Sequence, residues 1–86
     1  MTIQSYTGTI STKGDFIKIS ELTGISFTTN NIYSMQIINF AEIKIENAIF
    51  NINNEKFIYK SITENLYIRT PNGYTCTLTI LENENE

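Results

Sequence analysis

The sequence predicts an all-β protein, a small antiparallel β-sandwich or barrel of about seven to nine short strands. Three observations support this fold class. The 86 residues include sixteen isoleucines and twelve threonines, which are β-branched and favour strands. Alanine and leucine, which favour helices, number only two and four. Strand-like segments also recur about every eight to ten residues with turn residues between them, which is the spacing of a sandwich or barrel.

Each predicted strand is a short stretch of alternating apolar and polar residues. In residues 25–29, Ile25 and Phe27 alternate with Ser26 and Thr28, which is the pattern of a half-buried strand. In residues 42–46, Ile43 and Ile45 are two positions apart and therefore share one face. The predicted strands are residues 3–11, 16–20, 25–29, 32–38, 42–46, 49–52, 56–60, 66–70 and 74–81.

Turn residues separate these segments. The stretch TKGD (residues 12–15) is predicted to be a turn, and Asn30 and Asn31 can adopt a left-handed conformation at low cost. NINNE (residues 51–55) is predicted to be another turn. A two-turn helix over FAEIKIENA (residues 40–48) is the alternative to a strand there, although the spacing of Ile43 and Ile45 favours the strand.

The stretch LYIRTPNGYTCTLTI (residues 66–80) has the most regular pattern of the chain. Pro71 and Gly73 in TPNG suit the second and fourth positions of a tight turn, so residues 66–70 and 74–81 are predicted to form a β-hairpin. After the turn, three threonines alternate with apolar residues, and one face is predicted to lie in the core. The predicted inward residues are Tyr74, Cys76, Leu78 and Ile80.

The length allows one domain, because a second core would have nothing left to bury. We expect a single β domain over residues 1–82 and a flexible acidic tail over residues 83–86.

The residues that usually carry catalysis or bind metal are scarce. The chain has no histidine, so the commonest general base and a common zinc ligand are missing. Cys76 is the single cysteine and is expected to be a packed core thiol, which leaves no internal disulfide. Glu42 and Glu46 are expected to be solvated charges on outward strand positions. The sequence therefore predicts a non-enzymatic protein with no cofactor and no metal.

The charge balance disfavours two classes of partner. The formal net charge is −3 and the six basic residues are scattered, whereas nucleic-acid binding needs clustered lysine and arginine. No run approaches the roughly 18 apolar residues of a membrane span. We therefore expect neither a nucleic acid nor a membrane as partner.

Some strands carry apolar residues on both faces, which points to cover on the second face. Ile37 and Ile38 are adjacent, as are Phe57 and Ile58. The cover could come from loops of the same chain or from another subunit, and the sequence leaves both open. Tyr67 and Arg69 are predicted to face away from Leu66 and Ile68, where an arginine beside an aromatic is a common interface anchor. The predicted partner-binding residues are Tyr67, Arg69, Ile38, Phe40, Phe57 and Tyr59.

The five tyrosines allow a further interpretation. They could stack on a sugar or a nucleobase, but tyrosine is also ordinary cross-strand packing in β-proteins, and no tryptophan accompanies them. The residues are Tyr6, Tyr33, Tyr59, Tyr67 and Tyr74.

Two stretches resemble small β-sandwich proteins of tailed bacteriophages. They are SFTTNNIYSMQIIN (residues 26–39), with its Tyr33-x-x-Gln36 pattern, and ENLYIRTPNGYTCTLTILE (residues 64–82), with an LY[VI]RT-x-x-G hairpin. Proteins of this kind are typically capsid decoration proteins, head-fibre bases or accessory proteins near the tail. The resemblance implies a virion component that binds a capsid lattice or other copies of itself, commonly as a trimer.

Three functional hypotheses follow. The first is a non-enzymatic phage structural protein, made in the bacterial host cytoplasm and located in the virion. It would bind capsid, head-fibre or other virion proteins through exposed sheet edges and apolar patches, as a homo-oligomer that could be a trimer. The second is a phage-encoded inhibitor that blocks a host defence enzyme sterically. The third is a small carbohydrate-binding module that uses the tyrosines.

Overall fold

The computed structural model describes residues 3–83, in which one antiparallel sheet of six strands curls into a half-barrel. The all-β prediction is confirmed. The described residues contain six strands, close to the seven to nine expected, because two long strands replace four short predicted ones and residues 25–29 form no strand. The elements are β1 (Ser5–Ile10), β2 (Ile17–Lys18), a short helix α1 (Ile19–Thr23), β3 (Ile32–Ile45), β4 (Ala48–Lys60), β5 (Leu66–Arg69) and β6 (Cys76–Glu82).

The β3–β4 hairpin is the centre of the fold. Its strands have 14 and 13 residues and are joined by the two-residue loop of Glu46 and Asn47. The predicted turn over residues 51–55 is wrong, because β4 runs through it without interruption. A β-bulge lies there instead: the pairing shifts by one residue between Ile37 and Phe40, and Asn39 and Asn54 both have positive φ. The alternative helix over residues 40–48 does not form.

Strands β5 and β6 lie one after the other along the second edge of β3. Thr77 of β6 pairs with Ile38, whereas Arg69 of β5 pairs with Glu42. The predicted hairpin between the two strands is wrong: β5 and β6 both pair with β3, and residues 70–75 leave the sheet between them. The length of β3 explains this, because one long strand offers an edge that accommodates two short strands in sequence. Strand β1 then pairs with β6, and β2 pairs with β5.

The region between β2 and β3 is less regular than predicted. Helix α1 takes the place of the end of the predicted strand 16–20 and ends at Thr23. Gly24 caps it with a φ of 78°, which suits glycine. Residues 25–29 form no strand, although Ile25 and Phe27 do point into the core. Side-chain hydrogen bonds replace a strand partner: the Gln4 amide donates to the Ser26 carbonyl at 2.9 Å and accepts from the Ser26 N–H at 2.8 Å.

The core occupies the concave side of the sheet. Phe27 packs edge-on against two tyrosines, with ring centroids 4.8 Å from Tyr33 and 6.0 Å from Tyr59. The predicted inward face of the last strand is confirmed for Cys76, Leu78 and Ile80, but Tyr74 is exposed. The buried hydrophobic residues are Ile10, Ile19, Ile25, Phe27, Tyr33, Met35, Ile37, Ala41, Ile43, Tyr59, Leu66, Ile68, Cys76, Leu78 and Ile80.

The first residue of the predicted tail, Asn83, makes hydrogen bonds to the folded domain. Asn83 donates its N–H to the carbonyl of Ile32 at 2.8 Å, and its side chain accepts a hydrogen bond from the Ser34 hydroxyl at 3.2 Å. Asn83 therefore belongs to the folded domain rather than to a flexible tail. The rest of the predicted tail, residues 84–86, and residues 1 and 2 of the predicted domain lie outside the described residues.

Candidate functional site

The outer edge of β4 is the longest open strand edge in the structure. One side of β4 pairs with β3 along its length, while within residues 3–83 no strand pairs with the other side. Such an edge presents a row of backbone N–H and C=O groups that a further strand can bind. The strand carries three charged residues, Glu55, Lys56 and Lys60, in its 13 positions. Ile49 and Ile58 are also 49% and 61% exposed on it.

An apolar groove of about 270 Å³ lies beside this edge. The hairpin builds it, because Ile43 of β3 stands directly across from Phe50 of β4, and both point to the core side of the sheet. Phe50 is 50% exposed, so the core is open to solvent at this end of the hairpin. The groove is lined by Ile43, Ile45, Phe50, Ile52, Phe57, Ile58 and Tyr59.

Two of the predicted partner-binding residues contribute to this groove. Phe57 is partly buried and packs against the core. Tyr59 is only 7% exposed, and its hydroxyl donates a hydrogen bond to the Thr63 carbonyl at 3.0 Å. Tyr59 thus forms part of the core beneath the groove, and a partner would meet Phe57 and Phe50 before it.

The other predicted residues lie elsewhere. Ile38 is 41% exposed beside the bulge, and Phe40 lines a different cleft together with Asn39 and Asn54 of the bulge. Tyr67 and Arg69 are half-buried and alternate with buried Leu66 and Ile68, as predicted. The six predicted residues therefore do not form one continuous surface.

Arg69 makes its contacts within the chain. Its guanidinium donates to both carboxylate oxygens of Glu42, at 2.6 and 3.1 Å, and lies 4.3 Å from the centre of the Phe16 ring. The hydrogen bond with Glu42 raises the pKa of Arg69. Lys44 lies on the same ring at 5.5 Å. The outward cluster of Phe16, Glu42, Lys44 and Arg69 joins the loop before β2 to β3 and β5.

Sequence reasoning missed Phe50 and Ile52 as site residues. The available signal was the alternation on both sides of the Glu46–Asn47 loop, which places Phe50 and Ile52 on the same face as Ile43 and Ile45. That pattern identifies an apolar face. It does not show that the face stays uncovered, because the cover depends on where residues 25–31 and the other strands pack.

Metal binding and thiol chemistry can each be assessed from the described residues. Within residues 3–83, no group of three or more cysteine, aspartate or glutamate side chains is arranged to hold a metal ion. Cys76 is 1% exposed, and burial raises the pKa of its thiol, which disfavours the thiolate form. No helix in this part of the chain is long and apolar enough to span a membrane.

Comparisons with known proteins show the fold alone. No protein-family model matches the chain, and no curated protein matches its sequence. The chain is similar in structure to a de novo designed double-stranded β-helix solved by solution NMR, with a TM-score of 0.63 and 14% sequence identity. The match covers 93% of this chain and 99% of the designed one. At 14% sequence identity, the similarity shows a shared fold of the curled sheet and nothing further.

Proposed function

We propose that the chain is a non-enzymatic structural protein of a bacteriophage virion, which binds capsid or other virion proteins through the β4 edge and the adjoining groove. One observation carries the binding mode: a 13-residue strand with an open outer edge lies directly beside an exposed apolar groove. The virion setting rests on the resemblance of residues 26–39 and 64–82 to small phage β-sandwich proteins.

The binding mode is strand addition. A partner strand aligned with β4 exchanges backbone hydrogen bonds along the open edge, which gives affinity with little dependence on sequence. Alternate side chains of that strand enter the groove between Phe50 and Phe57, and these pockets give specificity. Phe50 is the expected anchor, because it is an aromatic residue of the groove that is 50% exposed and can bury a large apolar area on binding.

The strand of a second copy that pairs with β4 determines how many copies a homo-oligomer contains. If β4 pairs with β4 of a second copy, the interface is isologous and closes as a twofold dimer. A trimer instead requires β4 of one copy to pair with a different edge strand of the next copy. The sheet ends in β1 and β2, and β1 is the longer of these two edge strands, with six residues against two. The trimer implied by the phage resemblance therefore predicts β4–β1 pairing around a ring.

Light scattering with a matched pair of variants tests the proposal. Phe50→Lys places a charge at the groove, while Ile62→Lys makes the same kind of change at a position that is 65% exposed and lies outside the groove. The wild type is expected at a multiple of 9.9 kDa, Phe50→Lys at the monomer mass, and Ile62→Lys at the wild-type mass. Far-UV circular dichroism confirms that both variants fold.

Two observations together would refute the proposal. A wild type that stays monomeric, together with a virion reconstruction that has no density for this fold, would refute it. Co-purification with a host nuclease instead of capsid protein would favour the alternative of a defence inhibitor.

A further inference from the structure

We propose a second ligand site, for a neutral saccharide, in the cleft beside the β-bulge. The cleft has a volume of about 580 Å³, which lies within the range of small-molecule sites. It is separate from the apolar groove, because the two share no lining residue. The residues that matter for the ligand are Asn39, Phe40, Asn53, Asn54, Tyr74 and Thr75.

The fold forms this cleft by interrupting the sheet on both sides of β3. On one side the bulge displaces Asn39 and Asn54 from regular pairing. On the other side residues 70–75 leave the sheet between β5 and β6. This wall is fixed at its base: the Thr12 N–H donates to the Thr70 hydroxyl at 2.9 Å, and the Thr70 N–H donates to the Thr12 hydroxyl at 2.8 Å. Both threonines are buried, so the wall is preorganised.

Tyr74 provides an aromatic surface that the fold does not use. Tyr33 and Tyr59 are buried, Tyr6 packs against the core, and Tyr67 is half-buried on β5. Tyr74 is 67% exposed in the wall of the cleft. Phe40 adds a second, partly exposed aromatic ring to the same cleft. Aromatic faces stack on the apolar C–H face of a sugar ring, since both surfaces are flat and poorly hydrated.

The asparagines provide hydrogen-bonding groups at the same place. The Asn54 side chain accepts from the Asn39 N–H at 2.7 Å and donates to the Asn53 side-chain oxygen at 3.1 Å, which fixes the bulge. Within residues 3–83, the Asn39 side-chain amide and the Asn53 side-chain nitrogen make no hydrogen bond. Asn39 and Asn54 both hold positive φ, at 75° and 51°. Bulges and left-handed residues of this kind are concentrated at binding sites.

The chemistry of the lining selects the class of ligand. No charged side chain lines the cleft, so nothing there favours a phosphate or a carboxylate. An amide both donates and accepts hydrogen bonds, which matches the neighbouring hydroxyl groups of a sugar. A nucleotide would need cationic contacts that the cleft does not offer. An aromatic platform with uncharged amides therefore fits a neutral saccharide.

NMR titration of the ¹⁵N-labelled full chain tests this site. The probes are maltotriose, cellotriose and triacetylchitotriose, each added up to about 10 mM, where even weak specific binding is visible. At least one probe is expected to give saturable shifts of the Asn39 and Asn53 side-chain amides and of the Tyr74 backbone amide. Tyr74→Ala should weaken this binding roughly tenfold or more. Because Tyr74 is exposed, its truncation leaves the fold intact, which amide dispersion in the spectrum verifies.

Phe50→Ala is the control, since Phe50 lines the groove and not the cleft. It should leave the saccharide affinity unchanged, just as Tyr74→Ala should leave the mass in light scattering unchanged. The two proposals therefore fail separately. Absence of saturable shifts with all three sugars, or equal binding by the wild type and Tyr74→Ala, overturns the saccharide site.

Discussion

Arg69 and Glu42 face each other on adjacent strands and share two hydrogen bonds, although 27 residues separate them in the chain. This bidentate geometry suits the planar guanidinium, and stacking on Phe16 adds a cation–π contact. The single arginine of the chain is therefore held by contacts within its own chain, in the outward cluster of Phe16, Glu42, Lys44 and Arg69. Its removal should affect folding more than partner binding.

Arg69→Lys should lower the midpoint of urea denaturation, because lysine cannot form the paired hydrogen bonds or stack in the same way. Glu42→Gln should also lower it, and the double variant should lose less than the sum of the two single changes. The coupling should shrink in about 1 M salt, since both side chains are partly exposed. Additive losses in the double variant would show that the pair does not act together.

Thr70→Val should destabilise the protein by about 1–3 kcal/mol, because it leaves the N–H of Thr12 buried without an acceptor. Thr70→Ser keeps the hydroxyl and should retain most of the stability. Chemical denaturation followed by circular dichroism measures both. Equal stability of the valine and serine variants would mean that the hydroxyl contributes nothing.

Glu82 should make the free energy of unfolding decrease at low pH. Its carboxylate accepts the Gln4 N–H at 3.2 Å, and this backbone hydrogen bond is the main cause of its lowered pKa. The Asn31 side chain and the Tyr33 hydroxyl also donate to it, at 3.1 and 3.3 Å. Because the folded pKa lies below the unfolded value of 4.5, the stabilisation is complete above that pH. It is lost as the pH falls through the folded pKa.

The free energy of unfolding should therefore fall more steeply in the wild type than in Glu82→Gln between about pH 5 and pH 3. Glutamine keeps the shape of the side chain but cannot titrate, so the comparison isolates this carboxyl group. Parallel pH profiles for the two proteins would contradict the assigned role.

Glu46→Gly should stabilise the protein by about 0.5–1 kcal/mol. Glu46 has a φ of 54° in the two-residue loop between β3 and β4, a conformation that costs little for glycine and more for glutamate. Glu64→Gly is the control, because Glu64 lies in a loop without positive φ. Thermal unfolding should show a gain for the first variant and none for the second.

The sequence predicted local features well. The alternation of Cys76, Leu78 and Ile80 with threonines identified a half-buried strand, and the same rule placed Ile43 and Ile45 on one face. These predictions succeed because a strand alternates its side chains between two faces whatever its neighbours are. A turn also forms at TPNG, but one residue later than predicted: the Tyr74 N–H donates to the Pro71 carbonyl at 3.0 Å, so Pro71 is the first and Gly73 the third residue of the turn.

The predictions that failed concern pairing. A turn between two strands suggested a hairpin, but β5 and β6 each pair with β3, whose last residue, Ile45, lies 21 positions before the first residue of β5, Leu66. The asparagines of residues 51–55 suggested a turn, yet positive φ at Asn54 is satisfied by a bulge within one continuous strand. Turn residues specify a local backbone conformation, and the same conformation occurs in turns and in bulges.

The sequence by itself determined the β class, the inward face of several strands and the lack of histidine-based chemistry, because these depend on residue type and on a period of two. Only the tertiary structure decided which strands pair, that Arg69 is bound to Glu42, and that the β4 edge, the groove at Phe50 and the cleft at Tyr74 are open. Those features arise from contacts between residues far apart in the chain. Such contacts follow from the register and curl of the whole sheet, which local spacing does not encode.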